Sequence, residues 1–284
     1  MRLTLRCLAL TAAALIALPA AAQDTTPQPE IATGGDSLTV AVGVATLPTF
    51  EGSGKNRVIP AALIRGSVSG INFSTRGAQL FVDLVPNDAG PGYDFQLGPV
   101  VGANFDRTRR KTIDNVRVAA LGERDTAIEV GGYAGLSRTG VITSDYDTLG
   151  ASVSYVQDVN KAHKSYVITP QIDYGTPLSR KAYVGLSANA AYVGGEYADT
   201  YFSVTPAGSL LSTLPTYNAG KGWKNYSVTA IGTYALTGDL LHGLSLVAGA
   251  SYSRLLGDFA DSPIVSIAGD RNQFLGAVGL AYTF

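Results

Sequence analysis

From Ser37 to Phe284 the sequence repeatedly alternates apolar and polar side chains over stretches of about ten to twelve residues, and nothing else in it constrains the fold as tightly. A strand points successive side chains to opposite faces, so a period of two means a strand whose two faces meet different surroundings. In 165–174, Tyr166, Ile168, Pro170, Ile172 and Tyr174 share one face, against Thr169, Gln171 and Asp173. Tyr226, Val228, Ala230 and Tyr234 oppose Asn225, Ser227, Thr229 and Thr233 in the same way. Leu244, Leu246, Ala248, Ala250 and Tyr252 oppose Ser245, Ser251 and Ser253, and the chain ends with Phe274, Gly276, Val278, Leu280, Tyr282 and Phe284 on one face. No amphipathic helix of useful length is expected after Ser37.

A soluble sandwich alternates too, so other features select the architecture. Strands in soluble sheets average about 5–6 residues, whereas a tilted strand needs about 9–11 to cross a bilayer. Tyr133, Tyr146, Tyr166, Tyr174, Tyr183, Tyr192, Tyr226 and Tyr234 fall near strand ends, as an interfacial aromatic girdle would. The opposite faces hold Ser, Thr, Gly, Asn and Gln, a poor apolar core but a normal wet lumen. Strands cross lipid only as a closed barrel, because an open edge leaves backbone groups unsatisfied. The expected class is therefore all-β: an antiparallel transmembrane β-barrel of about twelve strands over 37–284, at roughly 20 residues per strand and connection.

The expected strands are 37–46, 57–66, 71–75, 78–84, 93–104, 127–138, 146–157, 165–175, 182–199, 223–236, 243–254 and 273–284. Splitting 71–84 keeps the count even. With both termini in the periplasm, the long connections 47–56, 105–126, 200–222 and 255–272 face outward, and short turns such as Thr176–Lys181 and Thr237–His242 face inward.

Composition agrees and excludes alternatives. Charged residues are 15% of the chain, with 21 Lys+Arg against 22 Asp+Glu. No basic surplus exists for a nucleic-acid partner. The single cysteine, Cys7, rules out an internal disulfide. It sits in residues 1–22, which read as a cleaved signal peptide: a basic start with Arg2 and Arg6, an apolar run from Leu8 to Leu18, Pro19, and small Ala20–Ala22 before the cleavage point. Residues 23–36, polar with prolines and glycines, read as a flexible periplasmic leader. The expected location is the outer membrane of a Gram-negative cell.

Leu280, Tyr282 and Phe284, alternating and ending on a terminal Phe, resemble the signal read by the barrel assembly machinery. A wider resemblance follows from Tyr197-Ala198-Asp199-Thr200-Tyr201-Phe202, Val204-Thr205-Pro206, Gly222-Trp223-Lys224, Tyr252 through Asp258, Ala260 through Val265 and Asn272-Gln273-Phe274. Gly43 through Pro48, Glu51-Gly52-Ser53 and Arg57-Val58-Ile59-Pro60 add to it. Together these resemble the MltA-interacting protein (MipA) / OmpV family of outer-membrane proteins across essentially the whole mature chain. Thr49-Phe50 stands where the family usually has Tyr after the Pro. The resemblance implies a non-enzymatic scaffold linking a murein lytic transglycosylase to a murein synthase. It also leaves room for adhesion or permeability roles, and it brings no catalytic residues, cofactor or metal.

The chain's own chemistry is sparse. His163, with Ser165 beside it, falls in an outer loop, and His242 in a periplasmic turn. Neither histidine has an orienting partner visible in the sequence. There is no His-Glu-x-x-His, Gly-x-Ser-x-Gly or phosphate-binding glycine loop. Arg107, Arg109, Arg110 and Lys111 form the one dense basic run, a solvated loop tip or a contact for lipopolysaccharide phosphate. Asp258, Asp261 and Asp270 match no calcium loop and read as loop-folding residues. Trp223 reads as an interfacial anchor. An unobstructed lumen would favour a small-solute pore, and a filled lumen with exposed apolar periplasmic turns would favour the scaffold.

Overall fold

A computed structural model describes residues 36–86 and 92–284; the expected signal segment 1–22 and all but the last residue of the leader lie outside the described residues. Twelve strands follow one another: β1 (Ser37–Pro48), β2 (Asn56–Val68), β3 (Ile71–Arg76), β4 (Gln79–Asp83), β5 (Gly92–Asn104), β6 (Ala127–Thr139), β7 (Thr148–Asp158), β8 (Tyr166–Pro177), β9 (Ala182–Val193), β10 (Gly222–Ala235), β11 (Gly243–Leu255) and β12 (Asn272–Thr283). Each pairs antiparallel with its sequence neighbours, and β12 returns to β1 to close the barrel. Ten of the twelve are 11–14 residues long, enough for a tilted strand to cross a bilayer. The split of 71–84 also holds, with β3 and β4 forming a short hairpin.

Closure rests on a tight seam. Gly43 pairs with Gly279 across β1 and β12. A Cβ on Gly43 would lie 2.2 Å from the Val278 carbonyl oxygen, and one on Gly279 2.6 Å from that of Val42. Thr39 and Thr283 join hydroxyls at 2.9 Å on the lumen side, and the Phe284 N–H reaches the Leu38 carbonyl. Outside, Val42, Val58, Phe95, Leu97, Ile172, Val228 and Phe274 are all exposed, as a lipid-facing wall requires. Inside, polar side chains bond one another: Thr229 donates to Ser251 at 2.9 Å and Asn225 to Ser253 at 2.9 Å. No helix among the described residues is long and apolar enough to cross a membrane.

Three expectations need correction. The ninth strand stops at Val193 instead of running to 199, because Gly195–Phe202 is a helix, α2. Its buried residues Tyr197, Ala198, Tyr201 and Phe202 follow a helical spacing, not a period of two. The outer loops carry four more short helices, α1 (Val116–Ala120), α3 (Pro206–Ser212), α4 (Gly257–Asp261) and α5 (Pro263–Ser266). Finally, Tyr133 and Tyr183 do not join the girdle: both are buried on the lumen side, where Tyr133 meets Phe81 edge to face at 5.1 Å. Tyr146, Tyr226 and Tyr234 are exposed, and Trp223 is half-exposed against Tyr192 at 5.4 Å, as an interfacial anchor would be.

The seam makes a direct prediction. Gly43→Val should abolish most of the heat-modifiable, folded species on unboiled gels, since backbone and not a flexible side chain occupies the space. Val42→Ala, on the lipid face one residue away, should leave that species intact.

Candidate functional site

The long-loop end of the barrel is stoppered from within. Helix α2 lies under the outer loops, and Tyr197, Ala198, Tyr201 and Phe202 pack against Val100, Val156, Val167, Val193, Leu255, Phe259 and Val265 in one apolar cluster. A second cluster of Phe50, Ile113, Val118, Ala119, Val204, Leu214 and Ile264 ties the outer loops into a lid. Deeper in the lumen, Arg76, Gln79, Phe81, Gln171, Asn189 and Asn225 help line a small polar cavity of about 30 Å³, room for roughly two waters.

Charge fixes the stopper as well. A helix leaves its last carbonyls without intrahelical partners, and here arginines and a serine take them. Arg107 donates to the Thr200 and Tyr201 carbonyls at 3.1 and 2.7 Å, Arg124 to Thr200 at 2.8 Å, and Ser262 to Phe202 at 2.6 Å. Cations at this end also complement the helix dipole. Arg107 pairs with Asp106 at 3.4 Å and holds a left-handed backbone with φ of 52°, a conformation that persists only where its surroundings enforce it. At the other end of α2, Lys224 forms an ion pair with Glu51 and donates to the Tyr197 hydroxyl at 3.2 Å, which in turn donates to Glu51 at 3.0 Å.

Lys224 gets there through a bulge. The β9–β10 register shifts between Trp223 and Asn225, so Lys224 and Asn225 both turn inward. Bulges commonly re-aim a side chain in this way. Burial raises the Asp106 carboxyl above the usual carboxylate range, with Arg107 opposing it. Burial, followed by repulsion from Arg107, lowers Arg124 to about 10. Burial raises the Tyr197 hydroxyl, and Glu51 adds to the effect.

The residues singled out in the sequence divide sharply. Arg107 is 1% exposed and spent on α2, so it is corrected out of the lipopolysaccharide set, whereas Arg109, Arg110 and Lys111 are exposed together on the lid. His163 is buried and does have an orienting partner: its Nε2 lies 3.2 Å from Glu129 Oε1, while Nδ1 accepts the Ser165 N–H at 3.2 Å. That acceptor role leaves the proton on Nε2, donated to Glu129. Both ring nitrogens are occupied, and Tyr197 stacks edge-on at 5.0 Å, so the imidazole holds structure together. Asp258 accepts the Gly220 N–H and Asp270 the Asn272 N–H, which are loop-folding roles. No group of three or more His, Cys, Asp or Glu among the described residues is arranged for a metal. Leu280, Tyr282 and Phe284 sit exposed on the outer face of β12, with the two rings 4.7 Å apart.

The short-turn end differs in character. Leu178, Leu236 and Leu241 are exposed beside Arg180 and Lys181, and Ile142 and Tyr146 project from the β6–β7 turn. The β8–β9 and β10–β11 turns are joined, since the Leu240 N–H reaches the Arg180 carbonyl and the Ala235 N–H that of Lys181. Burial alone would raise the Asp147 carboxyl. The N–H groups of Thr143, Val141 and Ile142 and the Tyr174 hydroxyl outweigh that and hold it well below the usual carboxylate range.

Two predictions follow from the two ends. Lys224→Met leaves Glu51 without its cation and should destabilise the lid by about 3–5 kcal/mol, read as faster proteolysis at Lys221 and faster amide exchange in α2. Adding Glu51→Gln should restore part of the loss, because no uncompensated charge then remains. For Asp147, a lowered folded value means its contribution is complete at neutral pH and falls away below roughly pH 4, the unfolded value. Protection of the Ile142 and Thr143 amides, measured against their intrinsic exchange rates, should therefore stay constant from pH 7 to 5 and fall only below roughly pH 4, while Asp147→Asn should lower it throughout.

No curated protein sequence matches the chain. Among solved structures, an outer membrane channel from Pseudomonas putida F1 aligns with TM-score 0.48 and 13% identity, over 91% of this chain and 100% of that one. The outer membrane channel DcaP of Acinetobacter baumannii aligns with TM-score 0.39 and 9% identity, also over 91% and 100%. Likeness at this level carries no functional argument. The family described as MltA-interacting protein MipA matches residues 40–284, from the first strand to the last residue, and this barrel belongs to it.

Proposed function

We propose that this protein is a non-enzymatic outer-membrane barrel whose periplasmic rim docks murein enzymes: a murein lytic transglycosylase, after the family's description, and with it a murein synthase. The observation that carries the reading is the contrast between the two ends. Helix α2 and the lid fill the outer mouth, while the short turns offer Leu178, Leu236, Leu241 and Ile142 beside Arg180 and Lys181. Apolar residues rimmed by charge suit protein contact. Export by residues 1–22, a leader over 23–36, insertion through Leu280, Tyr282 and Phe284, and lipopolysaccharide contact by Arg109, Arg110 and Lys111 belong to the same proposal.

Capture and conductance measured on the same variants test it. Replacing Leu178 and Leu241 with Ser, or reversing Arg180 and Lys181 to Glu, should cut transglycosylase capture at least about tenfold, the loss of 1.4 kcal/mol or more. The barrel should still fold. Gln171→Glu and Thr229→Asp, on the lumen side, should leave capture unchanged. Capture indifferent to the turns, together with wild-type conductance that follows the lumen charges, would replace the scaffold with a pore. Tyr282→Ala with Phe284→Ala should sharply lower outer-membrane levels; normal levels would remove the terminal strand as the assembly signal.

A further inference from the structure

The wall of the barrel is thinnest beside β2. That strand pairs with β1 from Asn56 to Ser67, but with β3 only over Arg65–Val68. The Thr75 hydroxyl accepts the Ile64 N–H at 3.0 Å and donates to the Ile64 carbonyl at 3.2 Å, which ends the ladder. Among the described residues no strand pairs with Asn56–Leu63 on that side. The β3–β4 hairpin leans the other way, since the Ala103 N–H of β5 reaches the Ala78 carbonyl at its tip. Above the tip, the β5–β6 loop docks on the β1–β2 loop, where Asp106 accepts the Glu51 N–H at 2.8 Å. β2, the hairpin tip and this roof frame a side window. Val58, Leu80 and Val101 flank it on the outside, and all three are exposed and apolar, which puts the window at the depth of lipid.

An open strand edge invites a strand from another chain, but this one is built to refuse it. Backbone groups alternate between the two sides of a strand. With Ile64 pointing away from β1, Ala62, Pro60 and Val58 do so too. Pro60 therefore removes a donor from the middle of the open edge, where proline blocks pairing. Backbone at membrane depth goes without a strand beside it only where it lines a cavity, and the cavity behind this edge is apolar. Ala277, Ala45 and Ile59 are paired across three strands on the lumen face, as are Gly279, Gly43 and Ala61. None of the six is buried, so open lumen lies against them. The far wall is the reverse: Gln171, Asn189, Ser227 and Ser253 form one polar row, buried at all but Asn189. At the outer end of the apolar sector, Arg57 shares the lumen face with Leu47, and its Nε is buried with no hydrogen-bond partner. Exposed Arg109 adds positive charge in the roof segment.

We propose that the window admits the single hydrocarbon chain of an anionic amphiphile, a long-chain fatty acid, from the outer leaflet into this apolar sector, with the carboxylate held at Arg57. With α2 and the lid packed into the outer mouth, the side of the barrel is the way in from that leaflet. Glycine and alanine leave a groove in which a methylene chain lies, and burying the chain there takes apolar surface out of lumen water. A carboxylate supplies the acceptor that Arg57 Nε lacks, in the geometry guanidinium binds best.

The test uses the full barrel in proteoliposomes with a palmitate analogue carrying a photoreactive diazirine in its chain. Saturable labelling at the lumen-facing Ala45, Ile59 and Ala61, competed by palmitate, is expected. Ala61→Phe fills the sector and should cut that labelling at least about tenfold. Val228→Phe, on the lipid face of the far wall, should leave it unchanged, both variants being first checked for heat-modifiable folding. Arg57→Gln should weaken competition by palmitate at least about tenfold and leave competition by hexadecanol as it was. In the wild-type barrel without ligand, the Val58 and Ala62 amides should exchange fast and the Ala61 amide slowly. Labelling confined to outward side chains, wild-type labelling of Ala61→Phe, or an Arg57→Gln barrel that treats both competitors alike would overturn the proposal. So would slow exchange at Val58 and Ala62, the mark of a strand seated on the edge. Murein-enzyme capture should be the same in all three variants, which keeps the two proposals separately testable.

Discussion

Lipid offers no hydrogen bonds, so every N–H and C=O of a membrane-crossing segment must find its partner within the protein. In this chain that requirement is met only when β12 comes back to β1. The approach there is so close that paired glycines, Gly43 and Gly279, are needed for the strands to lie side by side. Everything else follows from closure. It separates an apolar outside from a polar inside, and it sets the width of the mouth that the loops must fill. It also sends the long connections to one end and the short turns to the other.

What fills the mouth is held by opposing tendencies. Burying the Tyr and Phe side chains of α2 favours the closed lid, but the same burial takes Glu51, Lys224, Asp106 and Arg107 out of water. Charges in such a place are tolerable only when paired and bonded. The arginines at the end of α2 do both, neutralising Asp106 and occupying carbonyls that have no other donor. A lid built this way has few intermediate states, because loosening one partner strands another.

The two ends accordingly divide the labour. The outer end is a packed structure with a basic exposed tip at Arg109, Arg110 and Lys111. At the short-turn end the β8–β9 and β10–β11 turns are bonded to each other, and Asp147 organises the β6–β7 turn through three backbone N–H groups. Exposed leucines on turns this rigid present a fixed surface, which lowers the ordering cost of binding a partner.

The strands were legible because alternation is a local property: two faces in two solvents leave a period of two wherever a strand crosses, and Tyr226–Val228–Ala230 needs no distant residue to reveal it. The terminal Phe284 and the family-like stretches were legible for the same reason. Helix α2 was partly legible, since Tyr197, Ala198, Tyr201 and Phe202 carry a helical spacing, but it abuts an alternating strand with no proline between them. Which face a tyrosine takes was not legible at Tyr133, in the middle of β6, or at Tyr183, near the start of β9, because lipid and lumen positions differ by a single step of register. The latch was hidden altogether. Alternation from Tyr226 would send Lys224 toward lipid, and only the bulge beside Trp223 turns it inward to meet Glu51, over 170 residues earlier in the chain. Nor does the run Arg107–Lys111 announce that its first member is buried and the others exposed. The sequence by itself determined that this chain makes long, two-faced strands ending in a membrane barrel, because that information lies in neighbouring residues. Only the tertiary structure decided what closes the barrel and which charges are spent in doing so, because those contacts join loops that meet only after the strands have closed.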